Sequence, residues 1–265
     1  MSKSFCYWTV ADGKYASMAE SLIYSARLQG VTEPFFVWSD RNVKGATETF
    51  RSGSFDKSHY LFKLNFLKHK VVDLFYDYYV FLDCDTWFVR NPGDVLAQMK
   101  GDPIHVAMES NCNNPESLRP DWWGCPLDEF CTLMWDKGVR SNSVFNNNAG
   151  LFIVQNEAVD HVFRLGYEFW YYAESKGIKF TEEAALAFTS HMLMSDPYRH
   201  QLRENREFWA SDWLGHWKDQ IPRNEPWNFT DYMTMEEYEV NPAIVHAMRS
   251  KNLMIELSKS IYEPS

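Results

Sequence analysis

Two aspartates one residue apart, Asp83 and Asp85, close an unbroken apolar run, Tyr78-Tyr79-Val80-Phe81-Leu82. Such a run reads as a central strand covered on both faces. Ligands of open α/β sheets bind beyond the carboxyl ends of strands of this kind. Residues i and i+2 of an extended chain point the same way, so the two carboxylates are expected side by side at a wet sheet edge. About 4 Å apart at an effective dielectric of 20, they would repel by roughly 4 kcal/mol. A divalent cation removes that penalty, and hard carboxylate oxygens suit Mg²⁺ or Mn²⁺. The plainer alternative is a turn with two solvated aspartates. The buried strand in front of them favours the metal.

The elements around this pair read as α/β. Residues 5–10 form a short buried strand that Asp12 and Gly13 break, with Asp12 a candidate helix cap. Tyr15, Met18, Ala19, Leu22, Ile23 and Ala26 recur at helical spacing, and Gly30 ends that helix. Residues 35–38 (Phe-Phe-Val-Trp) make a second strand, so the chain opens β-α-β with parallel strands. A helix is expected over 58–75, strands at 104–108, 150–154 and 244–246, and helices near 157–175 and 182–194. The segments 111–147 and 196–242 are rich in Pro, Asn and Trp and poorly periodic, and loops that long in a compact domain are usually functional. No repeat or linker interrupts the 265 residues. One domain is expected, with 1–110 as a nucleotide-binding half and 111–255 as an acceptor-binding half.

Composition narrows the function. The formal net charge of -10 argues against a nucleic-acid binder, which needs a basic face. A local cation can still bring in an anionic nucleotide. Aromatic residues make up 17% of the chain, with 11 Trp, more than a core requires, so some are expected on a binding surface. The start lacks the apolar stretch of a signal peptide, and no run approaches the roughly 18 apolar residues of a membrane span. Five cysteines with no leader point to a reduced, soluble, cytoplasmic protein, as a bacterial, phage or viral protein or a cytosolic one would be. Cys112, Cys125 and Cys131 match no common zinc spacing and are expected to be buried thiols.

The stretch Phe62-Lys63-Leu64 … Leu82-Asp83-Cys84-Asp85-Thr86 … Asn91-Pro92 resembles the DxD segment of the GT-A nucleotide-sugar glycosyltransferases, and more narrowly the glycogenin-like family 8 enzymes. Thr9-Val10-Ala11-Asp12 with Tyr15 is similar to the first strand and turn that hold the nucleoside in that family. Phe145-Asn146-Asn147-Asn148-Ala149-Gly150 resembles its Asn-Ala-Gly strand start beside the donor sugar. Ile244-Val245-His246 followed by Lys251 resembles its closing motif, in which the His is a third metal ligand and a Lys meets the diphosphate. The resemblance runs in order through nearly the whole chain. It implies a single GT-A domain with a mostly parallel sheet, a Mn²⁺ or Mg²⁺ ion on Asp83, Asp85 and His246, a UDP-sugar donor and a saccharide acceptor. Two departures stand out. His246 is followed by Ala247 rather than Gly, with Arg249 as a second candidate for the diphosphate. The family's Asp-Gln pair is replaced by Glu182-Glu183.

In chemical terms, a metal would neutralise the charge growing on the leaving diphosphate as a Lewis acid. Lys63, Lys251 or Arg249 would add fixed positive charge. Asn148 is the candidate for a hydrogen bond to the sugar or nucleophile. Glu182 or Glu183 is the candidate for stabilising the reacting carbon, or for the general base if configuration is inverted. Each has a plainer reading: Lys63 solvated on a helix face, Asn148 satisfying backbone groups in a turn, Glu182 favoured by a helix dipole, Tyr15 in the core. Trp209, Trp213 and Trp217 share one face if their stretch is helical, where they would pack on the sheet. Trp122, Trp123 and Trp227 are candidates for an acceptor rim. The expectation is a metal-dependent hexosyltransferase, retaining by resemblance. The alternatives are a non-catalytic carbohydrate-binding protein, an inverting transferase, or a sugar-nucleotide hydrolase.

Overall fold

The computed structural model describes residues 3–51, 61–98, 101–111, 121–122, 125–139, 144–179, 181–194, 208–211, 215–217, 227–231, 237–249 and 251. Strand β1 (Phe5–Val10), helix α1 (Tyr15–Leu28), β2 (Phe35–Ser39) and β3 (Glu48–Arg51) open the chain. Helix α2 (Phe62–Phe66) runs on through a π-helical turn (Leu67–Val71) and a 3₁₀ turn (Val72–Leu74). Then come β4 (Tyr78–Leu82), β5 (Thr86–Phe88), α3 (Gly93–Gln98), β6 (Ile104–Asn111), β7 (Asp121–Trp122), β8 (Cys125–Pro126) and α4 (Leu127–Asp136). They are followed by β9 (Phe145–Gln155), α5 (Val159–Ser175) and α6 (Glu182–Leu193). Strands β10 (Trp209–Ser211), β11 (Gly215–Trp217), β12 (Trp227–Asp231), β13 (Glu237–Val240) and β14 (Ile244–His246) complete the order.

The protein is α/β, with both parallel and antiparallel strand pairs, and it divides into two compact units interleaved along the sequence. The first unit holds residues 1–55, 76–100 and 202–265; the second holds 56–75 and 101–201.

In the first unit β3, β2, β1 and β4 lie side by side, all parallel, with Tyr7 opposite Phe35 on one side and Val80 on the other. Every residue of β4 is buried, as its continuous apolar run requires. Helix α1 buries Met18, Ala19, Leu22, Ile23 and Ala26 of the residues at helical spacing, with Tyr15 half-buried. Gly30 follows its end at φ +73°, a left-handed conformation that a glycine accepts without strain. The cap position falls on Lys14 rather than on Asp12, whose carbonyl accepts Tyr15 N–H at 2.9 Å. Two small sheets complete the unit. One runs β10-β14-β5 and the other is the antiparallel β11-β12-β13.

In the second unit β6 and β9 pair antiparallel, and α4, α5 and α6 share a core that includes Phe130, Met134, Phe169 and Phe188. Phe169 and Phe188 stack with ring centres 4.3 Å apart. Of the helix expected over 58–75, residues 58–60 lie outside the described residues. From Phe62 the helix changes winding from α to π to 3₁₀ and stops at Phe75, whose φ is +56°. The wide π turn still buries Leu67 and Val71, because their spacing of four residues keeps both on one side.

Of the segments read as irregular, 111–147 is for the larger part described, whereas 196–242 lies largely outside the described residues. Where they are described they contain β7, β8, α4, the start of β9 and strands β10 to β13. Trp209 and Trp217 are in strands, so the proposed helical Trp stripe does not exist; Trp213 lies outside the described residues. Both strands are only three residues long, too short to leave a periodicity that could outweigh the i, i+4 spacing. No helix among the described residues is long and apolar enough to cross a membrane.

Candidate metal centre

Asp83 and Asp85 do not lie on a continuing strand. The chain turns immediately after β4: Thr86 N–H and the Thr86 hydroxyl both donate to the Asp83 carbonyl, at 3.1 and 2.7 Å. This turn, rather than the alternation of an extended chain, brings the two carboxylates together. β5 leaves the turn and is tied to α1, since Phe88 N–H donates to the Ser25 hydroxyl at 3.0 Å. β14 then pairs antiparallel with β5, with His246 opposite Thr86, and parallel with β10, with His246 opposite Ser211. Just past His246, Ala247 N–H donates to the Asp85 carbonyl at 2.9 Å. The Trp209 ring lies 5.1 Å from the His246 ring. Asp85 and His246, 161 positions apart in sequence, are therefore brought together by backbone pairing on both sides of β14.

The outcome is one ligand atom each from Asp83, Asp85 and His246, all within 4.8 Å of one another. His246 Nε2 is 3.1 Å from Asp85 Oδ1 and 3.9 Å from Asp83 Oδ2. An ion with bonds of about 2.1 Å holds adjacent octahedral ligands roughly 3 Å apart, so these separations fit a small divalent cation. Two carboxylates with one imidazole form a mixed O/N set that Mn²⁺ accepts readily. It is the one such group of three or more potential ligands among the described residues.

Lys251 completes the cluster, with its ammonium 2.9 Å from Asp85 Oδ2. Asp85 is not at a wet edge: it is 3% exposed, whereas Asp83 is half-buried. Burial alone would push the Asp85 carboxyl up. His246 and then Lys251, through charge and hydrogen bonds, outweigh burial and hold it well below the usual carboxylate range. For Lys251, burial would lower the ammonium pKa, but Asp85, with smaller contributions from Asp83 and Tyr15, raises it. Tyr15, at the start of α1, is half-buried rather than sunk in the core. Thr9 is fully buried at the end of β1, and its hydroxyl has no hydrogen-bond partner. Ala11 is buried, its N–H on the Trp38 carbonyl, and Asp12 is half-buried. Arg249 is exposed.

Lys63, Asn148, Glu182 and Glu183 belong to the second unit. Lys63 is buried rather than solvated, with its ammonium 2.6 Å from Glu182 Oε1 and 3.4 Å from the Ala149 carbonyl. Glu183 accepts Ala149 N–H at 3.1 Å, and Asn148 Oδ1 accepts Gly150 N–H at 2.7 Å. These contacts surround a wide bulge. β6 advances one residue, Val106 to Ala107, while β9 passes from Phe152 to Asn148, leaving Ala149, Gly150 and Leu151 between. The side chains of Lys63, Asn148 and Glu183 therefore satisfy backbone groups that the ladder cannot reach. Asn147, which sequence reasoning passed over, is fully buried with neither amide atom hydrogen-bonded.

Trp122 lies in β7 opposite Cys125, and Trp227 opens β12 opposite Val240. Trp123 lies outside the described residues. Of the three cysteines expected to be buried thiols, Cys131 is a buried free thiol and Cys112 lies outside the described residues; Cys6 and Cys84 are buried free thiols as well. No family model matches the chain, and neither does any curated protein.

Proposed function

We propose that this chain is a metal-dependent glycosyltransferase that moves a hexose from a UDP-sugar to a saccharide hydroxyl, with retention at the anomeric carbon. The observation that carries the reading is the convergence of Asp83, Asp85 and His246 beyond the carboxyl end of a fully buried parallel strand. Those three residues would hold Mn²⁺ or Mg²⁺, which supplies Lewis-acid neutralisation of charge on a departing diphosphate. Lys251, on Asp85, offers a positive charge beside the same groups. The unpartnered Thr9 hydroxyl and the half-buried Asp12 and Tyr15 are the groups we assign to the nucleoside. Retention and the identity of the donor base rest on the resemblance to the family 8 enzymes.

Glu182 and Glu183 take a different part in this reading from the one their sequence suggests. Both carboxylates are engaged, by Lys63 and by Ala149 N–H. We assign them to holding the bulge that presents Asn148, Ala149 and Gly150.

The test is transfer and hydrolysis of a panel of UDP-sugars, with Mn²⁺ and with EDTA, for the wild type and Asp85→Asn. Metal-dependent release of UDP that falls at least a hundredfold in the variant supports the reading. Tight UDP binding with no turnover of any donor would favour the non-catalytic carbohydrate-binding alternative.

A further inference from the structure

The Lys251 ammonium stands where a cation is needed. Asp83 and Asp85 bring two negative charges to a turn in which one carboxylate is 3% exposed, and Lys251 reaches it from the other end of the chain at 2.9 Å. Its own side chain is 43% exposed, so the ammonium has a route away from Asp85 into solvent. Two carboxylates and one ammonium leave the cluster, His246 apart, with one net negative charge. A divalent ion added to the same groups turns that into one net positive charge. It also takes Asp85, the oxygen-bearing partner on which Lys251 rests.

We propose that Lys251 is a resident counter-ion that competes with the divalent cation for Asp85, and that on cation binding its ammonium is released to an anionic ligand. Binding of the cation and of the anion is then coupled through one side chain. The cation alone binds weakly because it must displace Lys251. The anion alone binds weakly because Lys251 is engaged and the cluster is negative. Each strengthens the other, and linkage makes the two factors equal. The inference rests on the metal assignment of Asp83, Asp85 and His246, and not on the transferase assignment.

Calorimetric titration of the full chain with MnCl₂ alone tests it. Lys251→Met should bind Mn²⁺ about tenfold more tightly than the wild type, within the usual range of coupling between sites. Lys251→Arg, which keeps the charge and reach, should stay within about twofold of the wild type. Lys14→Met removes a cation that sits on the Tyr15 ring rather than on a carboxylate, and should also leave Mn²⁺ affinity within about twofold. In the wild type, acetylation of the Lys251 amine, read by mass spectrometry, should rise when Mn²⁺ is added. Mn²⁺ affinity in Lys251→Met equal to or weaker than wild type overturns the proposal, as does an equal gain from Lys14→Met. Failure of every form to bind Mn²⁺ overturns both this proposal and the metal assignment. A tenfold gain in Lys251→Met, with no UDP binding under any condition, upholds the counter-ion and overturns the transferase reading.

Discussion

Asp85 is held by three contacts of different kinds: the His246 imidazole, the Lys251 ammonium, and through its carbonyl the Ala247 N–H. The sequence suggests a solvated residue that can be replaced at little loss. Its burial changes that expectation. Asp85→Asn should cut Mn²⁺ affinity at least tenfold. It should also lower stability by about 1–3 kcal/mol, the usual effect of leaving buried polar groups poorly satisfied. Calorimetry and urea melts give the two numbers separately. Lys63 and Glu182 form a pair that is buried on both sides. Lys63→Met leaves the Glu182 carboxylate without its cation and should cost about 3–5 kcal/mol, whereas Lys63→Met with Glu182→Leu should recover much of it. Equal losses in the single and double variants would show that the pair is not the unit that matters.

At the scale of elements, the strands β1, β2, β4 and β14 and the helix α1 are legible in the sequence. For β1, β2, β4 and α1 the apolar runs and helical spacing are long enough to be unambiguous, whereas the three-residue β14 is marked by its Ile244-Val245-His246 motif. The devices that place His246 are not. β5 and β10 have three residues each, and their roles come from Ser25 and from pairing with β14, which no local pattern records. The same holds for the bulge in β9, whose extra residues are explained only by side chains from Lys63 and Glu183. Helix α4 does carry a signal, since Phe130, Cys131 and Met134 recur at helical spacing, but it is set among irregular sequence. In α6, burial pushes the His191 imidazole down to about 4. The folded chain therefore keeps it neutral where the unfolded chain, near its ordinary value of about 6.5, takes a proton. The stability this group supplies is present above pH 6.5 and lost as pH falls from there to 4. His191→Gln should flatten that part of a melting-temperature profile. A profile that falls as steeply in the variant would assign the slope to other groups.

At the scale of the molecule, the Asp-x-Asp pair, the closing His246 and Lys251 lie together in the first compact unit, although the chain between them passes through the second. The sequence order of motifs carries that convergence correctly for Asp83, Asp85 and His246. It does not reveal that Glu182 and Glu183 are already engaged, because their partners, Lys63 and Ala149, are set by folding rather than by spacing. The proposed nucleotide site would be built on a divalent ion held by Asp83, Asp85 and His246. Its most direct test is calorimetry of UDP binding to the wild-type chain with Mn²⁺, repeated with EDTA. Micromolar binding that disappears with EDTA is expected. UDP binding of the same strength in EDTA would contradict it.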